Sequence, residues 1–165
     1  TPVTIRPIRP DDEGLMVKFH QSLSDQSVQS RYMRPLGLED RIAHERLTRI
    51  CFIDYAREMA LVAEYRDPKT DQREIMGIAR YRMLHGSNEA DFALIIVDRR
   101  QRLGLGSKLM QLMVDVARRE KLDRLICAIL PDGKVMRNIC ERLGFELKPD
   151  AEKNLLQATL DLNRR

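Results

Sequence analysis

Apolar residues change their spacing several times along the chain, and each change marks an element. Val3-Thr4-Ile5-Arg6-Pro7-Ile8-Arg9 alternates and predicts a first strand. Pro10-Asp11-Asp12 then opens a helix with an acidic first turn, whose apolar positions include Leu15, Met16, Phe19 and Leu23. Residues 24–34 are polar and turn-rich, and Pro35 and Gly37 interrupt the chain after them. A second helix is expected over 38–50, with Ile42, Leu47 and Ile50 facing inward. Residues 59–65 and 75–83 read as two strands of a hairpin, turned by Asp67-Pro68-Lys69-Thr70-Asp71. His85-Gly86-Ser87-Asn88 turns the chain again, and a central strand is expected over 89–97.

The stretch after that strand combines three signals. The apolar run ends at Asp98, a basic turn Arg99-Arg100 comes next, and Gln101-Arg102-Leu103-Gly104-Leu105-Gly106-Ser107-Lys108 forms a glycine-rich corner. From Leu109 to Ala117 the apolar residues recur at helical spacing. The first N–H groups of a helix have no partner inside it, and the helix dipole puts partial positive charge there. Glycine lets the backbone approach a ligand closely, so such a corner suits an anion, usually phosphate. Arg99, Arg100, Arg102 and Lys108 add positive charge. The Walker spacing is absent, and the third glycine of a dinucleotide fingerprint is replaced by Leu109. The pattern that fits is Gln/Arg-x-x-Gly-x-Gly/Ala, met by Gln101, Gly104 and Gly106. Taken alone, the corner also reads as a plain strand-to-helix turn.

Further on, residues 124–130 predict a strand, and Pro131-Asp132-Gly133 leads into a helix through Met136, Ile139 and Leu143 that ends at Gly144. Phe145-Glu146-Leu147 and residues 155–162 form a closing pair of strands. Paired strands come early and βαβ order appears only from Glu89 onward. The fold class is therefore α/β (α+β), a mixed, mostly antiparallel sheet of about six or seven strands flanked by about four helices.

Composition narrows the function classes. A chain of 165 residues with 43% hydrophobic and 33% charged residues is read as one folded domain over 1–165. It starts at Thr1 without a methionine, which fits a domain excised from a longer protein. A net charge of +4 suits a polyanionic small ligand, while the 5% aromatic content and the lack of a basic–aromatic stripe argue against nucleic acid. No apolar run approaches the roughly 20 residues of a membrane span. No secretory signal is visible, and Cys51, Cys127 and Cys140 are odd in number with no C-x-x-C pair, so a reduced, cytoplasmic setting is expected. His20, His44 and His85 have no metal-ligand spacing, and no metal is expected.

Three segments, in order, resemble the GNAT superfamily of acyl-CoA N-acyltransferases: Ile5-Arg6-Pro7-Ile8-Arg9-Pro10-Asp11-Asp12, the glycine corner, and Cys140-Glu141-Arg142-Leu143-Gly144-Phe145. The likeness spans nearly the whole chain. Ser30-Arg31-Tyr32 and Ile53-Asp54-Tyr55-Ala56-Arg57-Glu58-Met59-Ala60-Leu61-Val62-Ala63 also resemble segments of bacterial protein lysine acetyltransferases. The resemblance implies transfer of acetyl from acetyl-CoA to a protein lysine by direct attack in a ternary complex. Acyl-CoA synthetases are among the acceptors it suggests, and an acyl-CoA synthetase-like module is a common fusion partner in that family. A small-amine acetyltransferase and a non-catalytic acyl-CoA-sensing regulatory domain are the other two readings.

The same resemblance assigns roles. The base of the protein acetyltransferases is a glutamate on the central strand; Asp91 holds that position, one methylene shorter, which favours a water relay over direct proton abstraction. Glu89 has the same strand parity, so alternation cannot separate the two, and either could be an exposed strand-end carboxylate without a role. The tyrosine that protonates the leaving thiolate in many relatives is replaced by Cys140, which reads either as a thiol donor or as a small core residue. A frequent asparagine at the start of that helix is replaced by Gly133. Backbone groups of Ile96 and Val97 would hold the pantetheine and the thioester carbonyl. Gln101 and the N–H groups of Arg102, Leu103, Gly104, Leu105, Gly106 and Ser107 would hold the pyrophosphate, with Lys108 beside them. Arg31, Tyr32, Asp54 and Tyr55 would lie where acceptors approach. Met110, Met113 and Met136 read as core, and Arg118-Arg119 and Arg164-Arg165 as solvated ends.

Overall fold

The computed structural model describes residues 3–32, 37–43, 46–47, 51, 57–97 and 104–163. Its strands are β1 (Val3–Pro7), β2 (Glu58–Arg66), β3 (Arg73–Met83), β4 (Glu89–Ile96), β5 (Arg124–Ile129), β6 (Glu146–Asp150) and β7 (Leu155–Asp161). They form one seven-stranded sheet in the order β1-β2-β3-β4-β5-β7-β6. Only β4 and β5 pair in parallel; the other neighbours are antiparallel. The described helices are α1 (Glu13–Gln21), α2 (Asp25–Tyr32), α3 (Leu38–Arg41), α4 (Leu105–Arg119) and α5 (Lys134–Arg142). The mixed, mostly antiparallel sheet with helices on both faces is the architecture the element order implied.

Strand alternation divides the core in two. Ala90, Phe92 and Ile96 of β4 pack on one face with Leu109, Met110 and Met113 of α4 and Ile139 and Cys140 of α5. Ile95 and Val97 face the other way, into a cluster with Met16 and Phe19 of α1, Leu47 and Cys51. Odd-numbered positions of β4 therefore look toward α1 and α2, and even-numbered ones toward α4 and α5.

The structure adds one helix and shifts some ends. α2 stands where the sequence reads as polar turn. Val28 is its buried apolar residue, so no 3.6-residue stripe announces it. Its start is tied by the Ser24 hydroxyl, which accepts the Ser27 N–H at 3.1 Å. The helix expected over 38–50 is interrupted: α3 ends at Arg41, residues 42–43 are not helical, residues 46–47 are helical again with Leu47 buried, and Ile50 lies outside the described residues. In the closing pair, β7 inserts between β5 and β6, and the first partner starts one residue later than expected because Phe145 is buried ahead of it.

The entry to α1 is held by ions. Asp12 is 1% exposed and takes two bonds of 2.8 Å from the Arg6 guanidinium and one of 2.7 Å from the Arg9 N–H. Arg6 also reaches Glu64, which is shared with Arg73, both at 3.4 Å. Burial pushes the Asp12 pKa up, but the Arg6 bonds, the Arg9 amide and the nearby positive charges outweigh it and hold the carboxyl below its ordinary value. His20, also in α1, is buried with both ring nitrogens unpartnered, and burial followed by the charges of Arg41, Arg46 and Arg31 lowers its pKa to about 4.

Both groups make the fold lose stability as the pH falls, His20 in the higher window and Asp12 in the lower one. Asp12→Ala removes one partner of a buried pair and is expected to cost about 3 kcal/mol at pH 7. Because the folded pKa of Asp12 is depressed, that difference persists above its unfolded value and fades only as the pH falls through the folded one. His20 is neutral when folded and must lose stability as the pH falls from 6.5 toward about 4, the span between its ordinary and its folded values. Urea unfolding of His20→Leu beside wild type should show the variant gaining, relative to wild type, across that window.

Candidate active site

β4 and β5 are joined by three residue pairs, Glu89 with Arg124, Ala90 with Leu125 and Asp91 with Ile126. Beyond Asp91 the strands part, while each keeps its other neighbour: β4 stays paired with β3 to Ile96, and β5 with β7 to Ile129. The gap opens into a cleft of about 620 Å³. One wall carries Leu94, Ile95 and Ile96 of β4 with Gly104, Gly106 and Ser107 at the start of α4; the other carries Ala128, Ile129 and Leu130 with Gly133 and α5. Ser24, Gln26 and Ser27, at the start of α2, also line it.

Backbone direction favours Ile96 over Val97. Donors alternate along a strand, and Val97 gives its N–H to Met76 O at 2.8 Å on the β3 side. The Ile96 N–H accordingly points to the gap. Ile96 lines the cleft, whereas Val97 is buried against α1, which removes its amide from the pair assigned by sequence.

The start of α4 has the form an anion site needs. The first intrahelical bond runs from the Lys108 N–H to Gly104 O at 3.1 Å, which leaves the N–H groups of Leu105, Gly106 and Ser107 outside the ladder. Gly104 precedes the helix at φ +81°, a left-handed conformation that suits glycine. Gly106 serves close approach: a Cβ there would lie 3.1 Å from Ile139 Cδ1 and 3.3 Å from Leu94 Cδ2. Lys134 and Arg142 of α5 bring cations to the cleft, and Asp132 one anion. Helix N-terminus, glycine approach, cationic rim and apolar walls fit a phosphate-bearing thioester such as acetyl-CoA. Of the remaining corner residues, Lys108 is exposed on α4, while Gln101, Arg102 and Leu103 lie outside the described residues.

The two candidate carboxylates differ. Glu89 is ion-paired with Arg124 at 3.3 Å, at the far end of β4. Asp91 sits at the apex where the strands part, exposed on the α1/α2 face. Among the described residues, no hydrogen bond or ion pair engages its carboxylate. Leu94, on the cleft wall, stands three positions further along the strand, roughly 10 Å away.

Cys140 does not line the cleft. It is fully buried, its thiol against Cys127 of β5; that contact, with burial, pushes the Cys127 thiol up. Gly133 does line it and directly precedes α5. Arg31 is described in α2, whereas Asp54, Tyr55 and the Tyr32 side chain lie outside the described residues.

Sequence reasoning missed the α5 stripe Lys134, Asn138 and Arg142, spaced four apart and so on one helix face, and the polar start of α2. The four-residue spacing was readable, but it is the same spacing that a solvated face shows.

Known proteins match this chain in sequence and in fold. The profile of the family described as "Acetyltransferase (GNAT) domain" matches residues 3–146. Acetyltransferase PA5475 of Pseudomonas aeruginosa is 33% identical over 143 residues, covering 87% of this chain and 74% of its own. Among solved structures, the GNAT domain of S. lividans PAT superimposes with a TM-score of 0.82 at 24% identity, over 96% of this chain and 90% of that one. The PaiA N-acetyltransferase from Thermoplasma acidophilum, solved in complex with coenzyme A, gives 0.74 at 10% identity, over 98% of this chain and 99% of that one. At these identities the structural matches speak to the fold.

The close approach at Gly106 can be tested without a ligand. Gly106→Val presses branched carbons on Ile139 and Leu94 and should cost about 1–3 kcal/mol. Gly106→Ala regains up to about 1 kcal/mol of helix propensity against a contact that only flexible side-chain ends must relieve, so it should stay near wild type. Chemical denaturation of the three proteins measures both.

Proposed function

Since the chain belongs to the GNAT acetyltransferase family, we propose that it acetylates the side-chain amine of lysine in protein acceptors, acyl-CoA synthetases among them, with Asp91 as the general base. The family makes it an acetyl-CoA-dependent N-acetyltransferase; the protein acceptor and the base are the proposal. The observation that carries it is the unpaired, exposed carboxylate of Asp91 at the apex of the β4/β5 gap. Asp91 is exposed there, within reach of a lysine side chain that approaches from solvent.

A lysine ammonium has a pKa near 10.4 and must lose a proton to attack, so a base serves the reaction. Bound acetyl-CoA supplies the acetyl thioester and a thiolate that leaves without a strong acid. The chain's own groups do the rest. Ile96 lines the gap where the thioester would lie. The N–H groups of Leu105, Gly106 and Ser107 face a phosphate. Asp91, through water, takes the proton that the amine releases as the new C–N bond forms and the C–S bond breaks.

The test incubates the chain with acetyl-CoA and either a purified acyl-CoA synthetase or a panel of polyamines, and detects acetyl-lysine by mass spectrometry. Asp91→Asn should lower kcat/KM about 100-fold, the lower end of the general-base range, with coenzyme A affinity unchanged. Unchanged turnover in Asp91→Asn removes the base assignment, and polyamines turning over faster than any protein remove the protein acceptor.

A further inference from the structure

β2, β3 and β4 place three charged side chains in one row across the α1/α2 face. Glu58 stands opposite Arg82, and Arg82 stands opposite Asp91. Directly opposed residues of an antiparallel pair share a face, with Cβ atoms about 4.5–5.5 Å apart. Arg82 therefore has a carboxylate within reach on either side. It is bonded to one of them: its Nε lies 3.4 Å from Glu58 Oε1. The same oxygen holds Arg80 Nη2 at 2.8 Å, and Arg80 stands opposite Ala93, the next position of β4 on this face. Glu58 is the fixed member of the group, with its side chain 15% exposed against 67% for Arg82.

We propose that Glu58 is a positioning residue for acyl transfer: by holding Arg80 and Arg82 it keeps the Asp91 carboxylate without a guanidinium partner and so available to accept a proton. The inference rests on the reading of Asp91 as the base. A guanidinium beside a carboxylate lowers its pKa by about 1–3 units, the lower figure applying at an exposed site. A carboxylate so paired accepts a proton less readily, and the added positive charge opposes the charge developing on the attacking amine. Without Glu58, the nearest carboxylate left to Arg82 in this row is Asp91.

The experiment measures kcat, KM and the pH dependence of kcat/KM for the full chain with acetyl-CoA. The acceptor is whichever of the acyl-CoA synthetase and the polyamines wild type acetylates faster. Glu58→Gln is expected to lower kcat about three- to tenfold and to move the acidic limb of the profile to lower pH, with the KM for acetyl-CoA unchanged. Adding Arg82→Gln should return both kcat and the limb to near wild type, because the competing guanidinium is gone. In an Asp91→Asn background, Glu58→Gln should have no further effect on kcat. A purely structural role for Glu58 gives the opposite outcome: a double variant at least as impaired as the single one and an unmoved limb. If Asp91→Asn is severely impaired while Glu58→Gln matches wild type or is not rescued, the positioning role fails and the base stands. If Asp91→Asn turns over normally, the base itself fails.

Discussion

β4 and β5 run side by side for three residues and then separate, and each side of the gap must be held from behind. β3 and α4 hold β4; β7 and α5 hold β5. The support is tight where the gap is widest. A Cβ on Gly77 of β3 would lie 2.5 Å from Ile96 Cδ1 and 3.1 Å from Leu109 Cδ1, so the end of β4 and the first turns of α4 settle onto bare backbone. Gly106 has the same function across the gap, letting α4 lie against Leu94 and Ile139. Strand edges that are not bonded to each other still carry N–H and C=O groups, and buried backbone groups need partners. A ligand with amides along its length can supply them, which is why a parted pair of strands makes a better site for such a ligand than a continuous sheet.

The same parting sorts the chemistry by face. Toward α4 and α5 lie the helix N-terminus, Lys134 and Arg142, all suited to a polyanion. Toward α1 and α2 lie Glu58, Arg80, Arg82, Glu89, Arg124 and Asp91, three acids and three arginines on adjoining strands. Among the described residues two of these acids are ion-paired, and Asp91 is the exception. Exposed ion pairs contribute little to stability, about 0–1 kcal/mol each. Their arrangement matters here because it decides which carboxylate remains available to accept a proton.

Much of this was readable in the chain. The apolar stretches at residues 59–65 and 75–83, the helical spacing after Leu109 and the Gly144 stop all report local preferences, and those elements appear where expected. What eluded the sequence was set by contacts between distant segments. α2 has Val28 as its buried apolar residue and owes its place to packing over β4, so periodicity could not reveal it. Glu89 and Asp91 share strand parity; only the pairing of β5 beside β4, which brings Arg124 to Glu89, tells them apart. Ile96 and Val97 are likewise equivalent as apolar strand residues until the Val97 N–H is seen on Met76. The Glu58–Arg82–Asp91 row joins residues on three strands, and no one-dimensional pattern contains it.

Magnitudes explain why a base matters here more than an acid. At pH 7.5 a lysine of pKa 10.4 has only about one molecule in 800 in its neutral form, a barrier of about 4 kcal/mol. A leaving thiol with a pKa near 8.5 is about one unit above that pH, or about 1.4 kcal/mol. A cysteine placed to protonate it would have nearly the same pKa as the group it serves and so little driving force to offer. Cys140 is buried against Cys127 and stands outside the cleft lining. The helix that could have supplied an acid instead supplies packing, through Ile139 and Cys140, and cations, through Lys134 and Arg142. The chemical demand thus falls on the amine, which is why a base, Asp91, rather than an acid is proposed at the centre of the site.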